Sequence, residues 1–177
     1  MLLGILSDTH GNVESIQQVT GRFLAAKVYQ VLHLGDDYLD TLFLEAANLK
    51  VLAVPGLYCP EYRDQTIPNR RLENLAGVSI LMTHSPEATK FDQPGDLDPE
   101  GVPVDVDVVL YGHTHVPSIQ EKQGVLWVNP GHLKAHDRRG YPLSYALMLL
   151  APPTVDVKVV SLATGQTLLN AVFSLRR

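Results

Sequence analysis

The sequence predicts an α/β fold with α+β character, in which strands alternate with helices in the first half and a mostly antiparallel sheet follows. Short apolar runs bounded by Gly, Pro and Asp recur along the chain, as expected of buried strands. Between the first runs, apolar residues recur at steps of three and four, the spacing of an amphipathic helix. With 177 residues, 45% of them hydrophobic, the chain can bury a core without disulfides, and we expect a single domain over residues 1–177.

The first half is predicted to run strand, helix, strand, helix, strand. We expect its strands at residues 2–7, 31–34 and 51–54. Asn12 is placed to cap the first helix by accepting its free backbone N–H groups. A second helix, with weaker periodicity, is expected from about Leu39 to Leu49. The apolar face of the first helix comprises Val13, Ile16, Val19, Phe23 and Leu24.

The second half has room for strands but hardly any for helices. Apolar and polar residues alternate over residues 155–160, which predicts a strand with one face toward solvent. Residues 92–103 contain three Pro and two Gly and are predicted to form an irregular loop. The other predicted strands lie at residues 78–82, 106–111, around 119, and at 125–128, 145–150 and 168–173.

Charge and composition exclude several functions. The 14 Lys and Arg residues against 19 Asp and Glu give a net charge of −5, and the basic residues form only pairs, at 70–71, 138–139 and 176–177. No stable nucleic-acid complex is therefore expected. The N-terminal apolar run is too short for a signal sequence or a membrane span, and the lone Cys59 suits a reducing compartment, so we predict a cytoplasmic protein without a membrane partner.

Six potential metal ligands follow the predicted strands. The carboxyl ends of parallel strands meet at one edge of a sheet, so these side chains are expected to converge on one crevice. Alone, each histidine is more often a packed or solvated residue; the joint pattern is what indicates a metal site. Two carboxylates with four imidazoles suit Mn, Fe, Ni, Co or Zn, and six ligands indicate two ions. The six are Asp8, His10, Asp36, His84, His113 and His115.

Four motifs in a fixed order carry a family resemblance. Residues 7–12 (SDTHGN), 34–36 (LGD), 83–84 (TH) and 112–115 (GHTH) each follow a predicted strand. This pattern resembles the calcineurin-like metallophosphoesterases, and more narrowly their small bacterial phosphodiesterase branch. The segments Asn-Pro-Gly at 129–131 and Ser-Tyr-Ala at 144–146 resemble the C-terminal half of that branch, so the resemblance covers nearly the whole chain.

The resemblance implies a four-layer αββα sandwich with mixed sheets and a binuclear metal centre of manganese, nickel, iron or zinc. It implies that one ion is held by Asp8, His10 and His115, that the other is held by His84 and His113, and that Asp36 bridges them. Asp36, His84 and His113 are the expected catalytic residues, and a hydroxide between the ions is the expected nucleophile. A small phosphodiester or nucleotide-type substrate is favoured over a monoester, and the resemblance allows a homo-oligomer.

One motif departs from the family pattern. After the third strand the family usually has Gly-Asn followed by Cys, His or Asp, and the Asn oxygen binds the second metal; here the segment is Gly56-Leu57-Tyr58-Cys59. Leu57 cannot coordinate an ion, which leaves two alternatives. Either the second ion is weakly held, or Cys59, Glu61 or Asp64 replaces the Asn. A Cys59 ligand would favour zinc, whereas the other state of this thiol is a buried, inert one.

The remaining histidines are assigned to packing or to the surface. His33 lies inside a predicted strand and is expected to be a core imidazole, whereas His132 and His136 are expected in an exposed loop. With Lys134, Arg138 and Arg139, these two loop histidines offer a cationic rim for an anionic substrate.

Two functions from different classes fit these features. The first is a metal-dependent phosphoesterase. The second is a non-catalytic protein-binding scaffold with the same fold and a decayed metal site, as in the retromer subunit that resembles this family. The missing Asn favours the scaffold, and the six ligand-type residues favour the enzyme.

Overall fold

The computed structural model describes residues 1–99, 101 and 105–175. Residues 100 and 102–104 of the predicted Pro-rich loop and the basic pair at 176–177 lie outside the described residues. No helix in this described part of the chain is both long and apolar enough to cross a membrane.

The first sheet has six strands in the order β11-β10-β9-β1-β2-β3. Strands β1, β2 and β3 are parallel, whereas β9 runs antiparallel to β1, and β10 and β11 continue that antiparallel meander. The sheet is therefore mixed, as predicted. Its strands are β1 (Leu2–Leu6), β2 (Gln30–His33), β3 (Val51–Ala53), β9 (Ser144–Ala151), β10 (Thr154–Ser161) and β11 (Thr167–Ser174).

The second sheet has five strands in the order β4-β5-β6-β8-β7. Its three central strands are parallel, and an antiparallel strand closes each edge. Strand β4 was not predicted, because its only apolar residues, Leu72 and Leu75, are three positions apart and do not show the alternation of a strand. Its strands are β4 (Arg70–Leu75), β5 (Val78–Thr83), β6 (Val108–Leu110), β7 (Ser118–Lys122) and β8 (Val125–Asn129).

Two helices pack on the outer face of the first sheet. Helix α1 (Val13–Ala26) starts at Asn12, whose side-chain oxygen accepts the Ser15 N–H as predicted. Helix α2 (Thr41–Ala46) is shorter than the predicted 39–49, because a 3-10 turn precedes it and Asn48 adopts a positive φ of 61° just after it. Its Leu44 is fully buried, whereas Leu42 is exposed.

The main core lies between the two sheets. Alternation along each strand divides its residues between the two faces, so Leu3 and Ile5 of β1 point into this core, whereas Leu6 packs toward the helices. In the second sheet, the aligned row Ile80, Val108 and Leu126 also faces the core. The predicted two-sheet sandwich is therefore built by the period-2 pattern of its strands.

The outer face of the second sheet has a different cover. The next row across its strands, Leu81, Val109 and Trp127, packs against Leu97 and Val106 of the long connection between β5 and β6. Within the described residues this layer is irregular chain, not the helix that the αββα description implies.

Candidate metal centre

The six predicted ligands all stand on loops that leave the carboxyl ends of strands. Asp8, His10 and Asp36 follow β1 and β2 of the first sheet, and His84, His113 and His115 follow β5 and β6 of the second. Parallel strands bring those ends together within each sheet, and the packing of the two sheets brings both groups to one crevice.

Four of these side chains form a compact cluster. Asp8, His10, Asp36 and His115 each offer a ligand atom within 4.8 Å of the others. His10 Nε2 and His115 Nε2 lie 3.2 Å apart, and His115 Nε2 lies 3.2 Å from Asp8 Oδ1. Two nitrogens bound tetrahedrally to one ion at about 2.1 Å would lie about 3.4 Å apart. The cluster therefore has the dimensions and the mixed oxygen and nitrogen donors of a transition-metal site.

Asp36 joins this cluster to a second group. Its Oδ2 lies 3.4 Å from His10 Nε2, and its Oδ1 lies 3.5 Å from His84 Nε2. The His84 and His113 rings pack edge to face, with centroids 5.2 Å apart. The two oxygens of Asp36 thus face different histidines on either side.

His84 has a buried nitrogen without a partner. Its Nδ1 donates to the Leu34 carbonyl at 2.7 Å, which fixes the ring and leaves the lone pair on Nε2. Among the described residues no group hydrogen-bonds to this Nε2, although it is buried. A buried unpaired polar atom costs about 1–3 kcal/mol, so the structure fits a metal ion at this position.

Five of the six side chains stand on strained backbone. Asp8, His10, Asp36, His113 and His115 have φ angles between 40° and 63°. This left-handed region is uncommon for residues with a side chain, and each such position costs roughly 1–2 kcal/mol. Strain of this kind persists where the surrounding structure fixes it, which is typical of functional sites.

Two glycines allow the loops to approach the carboxylates. A Cβ at Gly56 would lie 1.7 Å from Asp36 Oδ1, and a Cβ at Gly112 would lie 1.9 Å from Ser7 Oγ. The loop that contains Gly112 is held by the Asn129 amide, which donates to the Gly112 carbonyl at 2.9 Å. The backbone N–H of His113 in turn donates to Asp8 Oδ2 at 3.0 Å. The backbone itself therefore positions Asp8.

Burial and neighbouring charges set the protonation states. Burial lowers the pKa of His10 and of His113, which keeps both rings neutral at pH 7. Burial opposes ionisation of Asp8, but the hydrogen bonds from His115 and Ser7 and the charges of His84 and His115 together outweigh it and lower the pKa of this carboxyl. Neutral imidazoles and ionised carboxylates are the forms that bind cations. For His115, burial lowers the pKa, but the hydrogen bonds to Asp8 and Asp137 contribute in the opposite direction and the pKa is raised.

Sequence reasoning missed the support for His115. Asp137 Oδ1 accepts a hydrogen bond from His115 Nδ1 at 2.9 Å, which directs Nε2 toward the cluster. Burial raises the pKa of Asp137, but hydrogen bonds from the Arg139 N–H and from His115 lower it to about 2. The position follows His136 in a charged loop, and nothing in the sequence distinguishes it from a surface carboxylate.

The expectation for His132 was wrong. His132 is 1% exposed and its ring stacks on His115, with centroids 5.1 Å apart. Its Nε2 donates to the Tyr141 carbonyl, and this hydrogen bond holds the orientation of the ring. His136 is exposed, as predicted. The predicted cationic rim therefore loses His132 and keeps the exposed His136 and Arg138. Lys134 acts on His10, and Arg139 binds Asp137.

His33 is a core imidazole, as predicted. It is fully buried, and its two ring nitrogens contact the Thr9 hydroxyl at 3.3 Å and the Gly35 N–H at 3.2 Å. Burial lowers its pKa to about 4.

The structure does not bring Cys59 into the cluster. Cys59 is buried, and burial raises the pKa of its thiol, which disfavours the thiolate that a metal requires. Leu57 beside it is also buried, Glu61 is half-buried, and Asp64 is an exposed side chain that binds Thr66. Within the described residues, no side chain of this segment belongs to the compact cluster of Asp8, His10, Asp36 and His115.

Comparison by sequence identifies the family. Residues 1–151 match the family model described as the calcineurin-like phosphoesterase superfamily domain. A probable metallophosphoesterase of Methanothermobacter thermautotrophicus is 30% identical over 133 residues, which cover 74% of this chain and 76% of that protein. The phosphodiesterase MJ0936 of Methanocaldococcus jannaschii is 27% identical over 146 residues, covering 74% of this chain and 83% of that protein.

Solved structures share the fold. The phosphoesterase YfcE from E. coli is 22% identical and superposes with a TM-score of 0.73, covering 98% of this chain and all of that chain (100%). Vps29 from Chaetomium thermophilum is 17% identical with a TM-score of 0.76, covering 99% of this chain and 100% of that chain. These likenesses confirm the predicted sandwich.

Proposed function

Because this chain belongs to the calcineurin-like phosphoesterase superfamily, we propose that it is a phosphodiesterase whose crevice holds two divalent transition-metal ions. The observation that carries the proposal is the position of Asp36, whose two carboxylate oxygens face His10 and His84 at 3.4 and 3.5 Å. A carboxylate between two groups of histidines is suited to serve two ions at once.

The ligand groups differ in strength. We assign one ion to Asp8, His10 and His115 and the other to His84 and His113, with Asp36 shared. The first group is the compact four-residue cluster that includes Asp36. The second has three donors at most, because the buried Leu57 stands where the family has an Asn. The second ion is therefore expected to bind more weakly.

The residues of the chain prepare the site for phosphoester hydrolysis. Bound divalent ions supply Lewis acidity, which activates water as a nucleophile and neutralises charge on the phosphoryl oxygens. His84 and His115 are held in fixed orientations by the Leu34 carbonyl and the Asp137 carboxylate. The fixed groups need little reorganisation during the reaction, which is the main source of electrostatic catalysis.

Charge around the site favours a diester. The positive charge of Lys134 acts electrostatically on His10 of the cluster. The positive charge of Arg139 is paired with the Asp137 carboxylate. A phosphodiester carries one negative charge, and a monoester carries nearly two at pH 7. The limited protein charge suits the monoanion, and the relative from M. jannaschii is named a phosphodiesterase.

The test measures metal content and turnover together. Protein stripped with a chelator and reloaded with Mn²⁺ or Ni²⁺ is expected to hold two ions per chain and to hydrolyse bis-(4-nitrophenyl) phosphate faster than 4-nitrophenyl phosphate. Asp36→Asn is expected to lower kcat/KM by at least about 100-fold and to reduce the ion content. Asp156→Asn, at a carboxylate on the distant strand β10, is the matched control and should change neither.

A second candidate function rests on Leu57. An apolar side chain in place of a metal-binding Asn is what a decayed site would contain, and Vps29 structures share this fold. A protein-binding scaffold predicts folded protein with no bound ion and no turnover with any metal. That result would overturn the phosphodiesterase proposal.

A further inference from the structure

An exposed aromatic side chain lies on the loop whose Gly56 packs against the Asp36 carboxylate. Tyr58 is 78% exposed, more than any other large apolar or aromatic side chain described. It follows Gly56 by two residues, and the Gly56 backbone packs against the Asp36 carboxylate. Two residues of chain span at most about 7 Å, so the Tyr58 backbone lies within about 7 Å of Gly56, which contacts the Asp36 carboxylate.

The ring of Tyr58 has a partner on the opposite loop. Phe91 contacts it edge to face, with centroids 6.0 Å apart and an angle of 68° between the planes. Phe91 lies on the segment that begins at His84, so the two rings stand on the two loops that flank the Asp36 and His84 side of the site. Lys90 Nζ lies 5.2 Å from the Phe91 ring centroid and adds a positive charge.

A half-buried carboxylate fixes these two loops to each other. Asp92, next to Phe91, accepts hydrogen bonds from Tyr62 Oη at 2.6 Å and from Arg70 Nη2 at 2.8 Å. Tyr62 belongs to the short 3-10 turn that follows Tyr58. The aromatic pair is therefore held in place before any ligand arrives, which lowers the entropy cost of binding.

We propose that Tyr58 is a specificity-determining residue that stacks on a planar aromatic group of the substrate, so that the substrates are nucleotide-type phosphodiesters. This inference rests on the proposed function and names its substrate class. An edge contact with Phe91 leaves a face of the Tyr58 ring open, and every nucleobase has a face to place there. Stacking of a base on an aromatic side chain is expected to improve binding about 10-fold.

Other tyrosines of this chain are also exposed, so a second exposed tyrosine far from the crevice serves as the control. Tyr29 is 52% exposed and has Lys50 Nζ 4.7 Å from its ring centroid, but it precedes β2 and therefore lies at the opposite end of the sheet. A variant at Tyr29 removes a similar exposed ring without touching the crevice.

The kinetic test uses two diesters that differ only in the base. The substrates are the methyl esters of adenosine 5′-monophosphate and of ribose 5-phosphate, hydrolysed by Mn²⁺-loaded protein and followed by chromatography. The wild type is expected to show about 10-fold higher kcat/KM for the adenosine diester. Tyr58→Ala should abolish this preference through KM and leave the ribose diester within 2-fold, whereas Tyr58→Trp and Tyr29→Ala should retain it.

A binding test separates this inference from the proposed function. Calorimetry with adenosine 5′-monophosphate and ribose 5-phosphate is expected to show about 10-fold tighter binding of the nucleotide to the wild type and equal binding to Tyr58→Ala. Turnover of both diesters at equal kcat/KM overturns the role of Tyr58 and leaves the phosphodiesterase standing. If neither diester is hydrolysed, the proposed function fails, and the calorimetric ratio alone decides whether Tyr58 stacks on a base.

Discussion

Single side chains in this protein show how burial selects a chemical form. Asp8 and His33 are both fully buried and lie near each other, yet Asp8 is ionised, whereas burial keeps His33 neutral. Asp8 has several hydrogen-bond donors and charges that together outweigh its burial, whereas the attraction of the Asp8 charge does not offset the burial of His33.

The neutral His33 makes stability depend on pH. Its folded pKa of about 4 is below the ordinary value of 6.5, so between these values the unfolded chain binds more protons than the folded one. The free energy of unfolding therefore falls as the pH drops below about 6.5 and stops falling below about 4. Between pH 7 and pH 5 this group is expected to contribute a loss on the order of 2 kcal/mol.

Urea unfolding of metal-free protein at pH 7 and pH 5 measures this contribution. His33→Gln should remove that part of the loss, so the drop in stability should be about 2 kcal/mol smaller than in the wild type. The exposed His136 provides the control, and His136→Gln should show the wild-type drop. An equal drop in His33→Gln would contradict the prediction.

The loops between strands depend on one buried ion pair. Arg70 of β4 has a side chain that is 1% exposed, and it lies 2.8 Å from Asp92 in the connection after β5. Tyr62 and Thr89 also donate to Asp92, so three separate segments meet at one carboxylate. The arrangement explains how a long segment without regular structure stays in one place beside the crevice.

Removal of Asp92, whose arginine partner is buried, should be far more costly than removal of Glu73, whose arginine partner is partly exposed. Asp92→Ala leaves the Arg70 charge buried without its partner and is expected to lower the free energy of unfolding by about 3 kcal/mol. Glu73→Ala breaks the Arg71 pair, which has the same 2.8 Å separation but side chains 29% and 24% exposed, and should cost less than about 1 kcal/mol. Equal losses in denaturant titrations would contradict the assigned role of burial.

The molecule as a whole places its candidate metal centre at the junction of two sheets. Asp8 and Asp36 come from the first sheet, and His84 and His115 come from the second. The ion proposed for Asp8, His10, Asp36 and His115 would take ligands from both layers. These layers also meet through the apolar core and through hydrogen bonds such as that from His84 Nδ1 to the Leu34 carbonyl. Binding of the ion to the folded state alone therefore stabilises the packing of one sheet on the other.

Metal removal should accordingly lower thermal stability. At free Mn²⁺ 100-fold above its Kd, one ion is expected to add about 2.7 kcal/mol to the free energy of unfolding. A chelator that removes the ion should abolish this gain. The gain should be smaller at pH 6 than at pH 8, because the raised pKa of His115 lets a proton compete with the ion. Scanning calorimetry of the wild type and of Asp36→Asn measures both effects. A melting temperature unmoved by Mn²⁺ would contradict the shared site.

The sequence by itself determined the local order of the chain and the identity of the residues at its strand ends. Period-2 and period-3.6 patterns depend only on neighbours, so β1, α1 and the later antiparallel strands could be predicted, as could His33 inside β2. Strand β4 was not predicted because its two apolar residues are three positions apart, and its pairing is supplied by β5.

Tertiary structure alone decided which side chains meet. Asp137 supports His115 across 22 residues, and His132 stacks on the same ring, because the loops fold back over the crevice. The positions of Leu57, Cys59 and Tyr58 relative to the site depend on the same loop paths. Contacts between residues far apart in sequence arise from the packing of complete sheets, and no local pattern of residues encodes them.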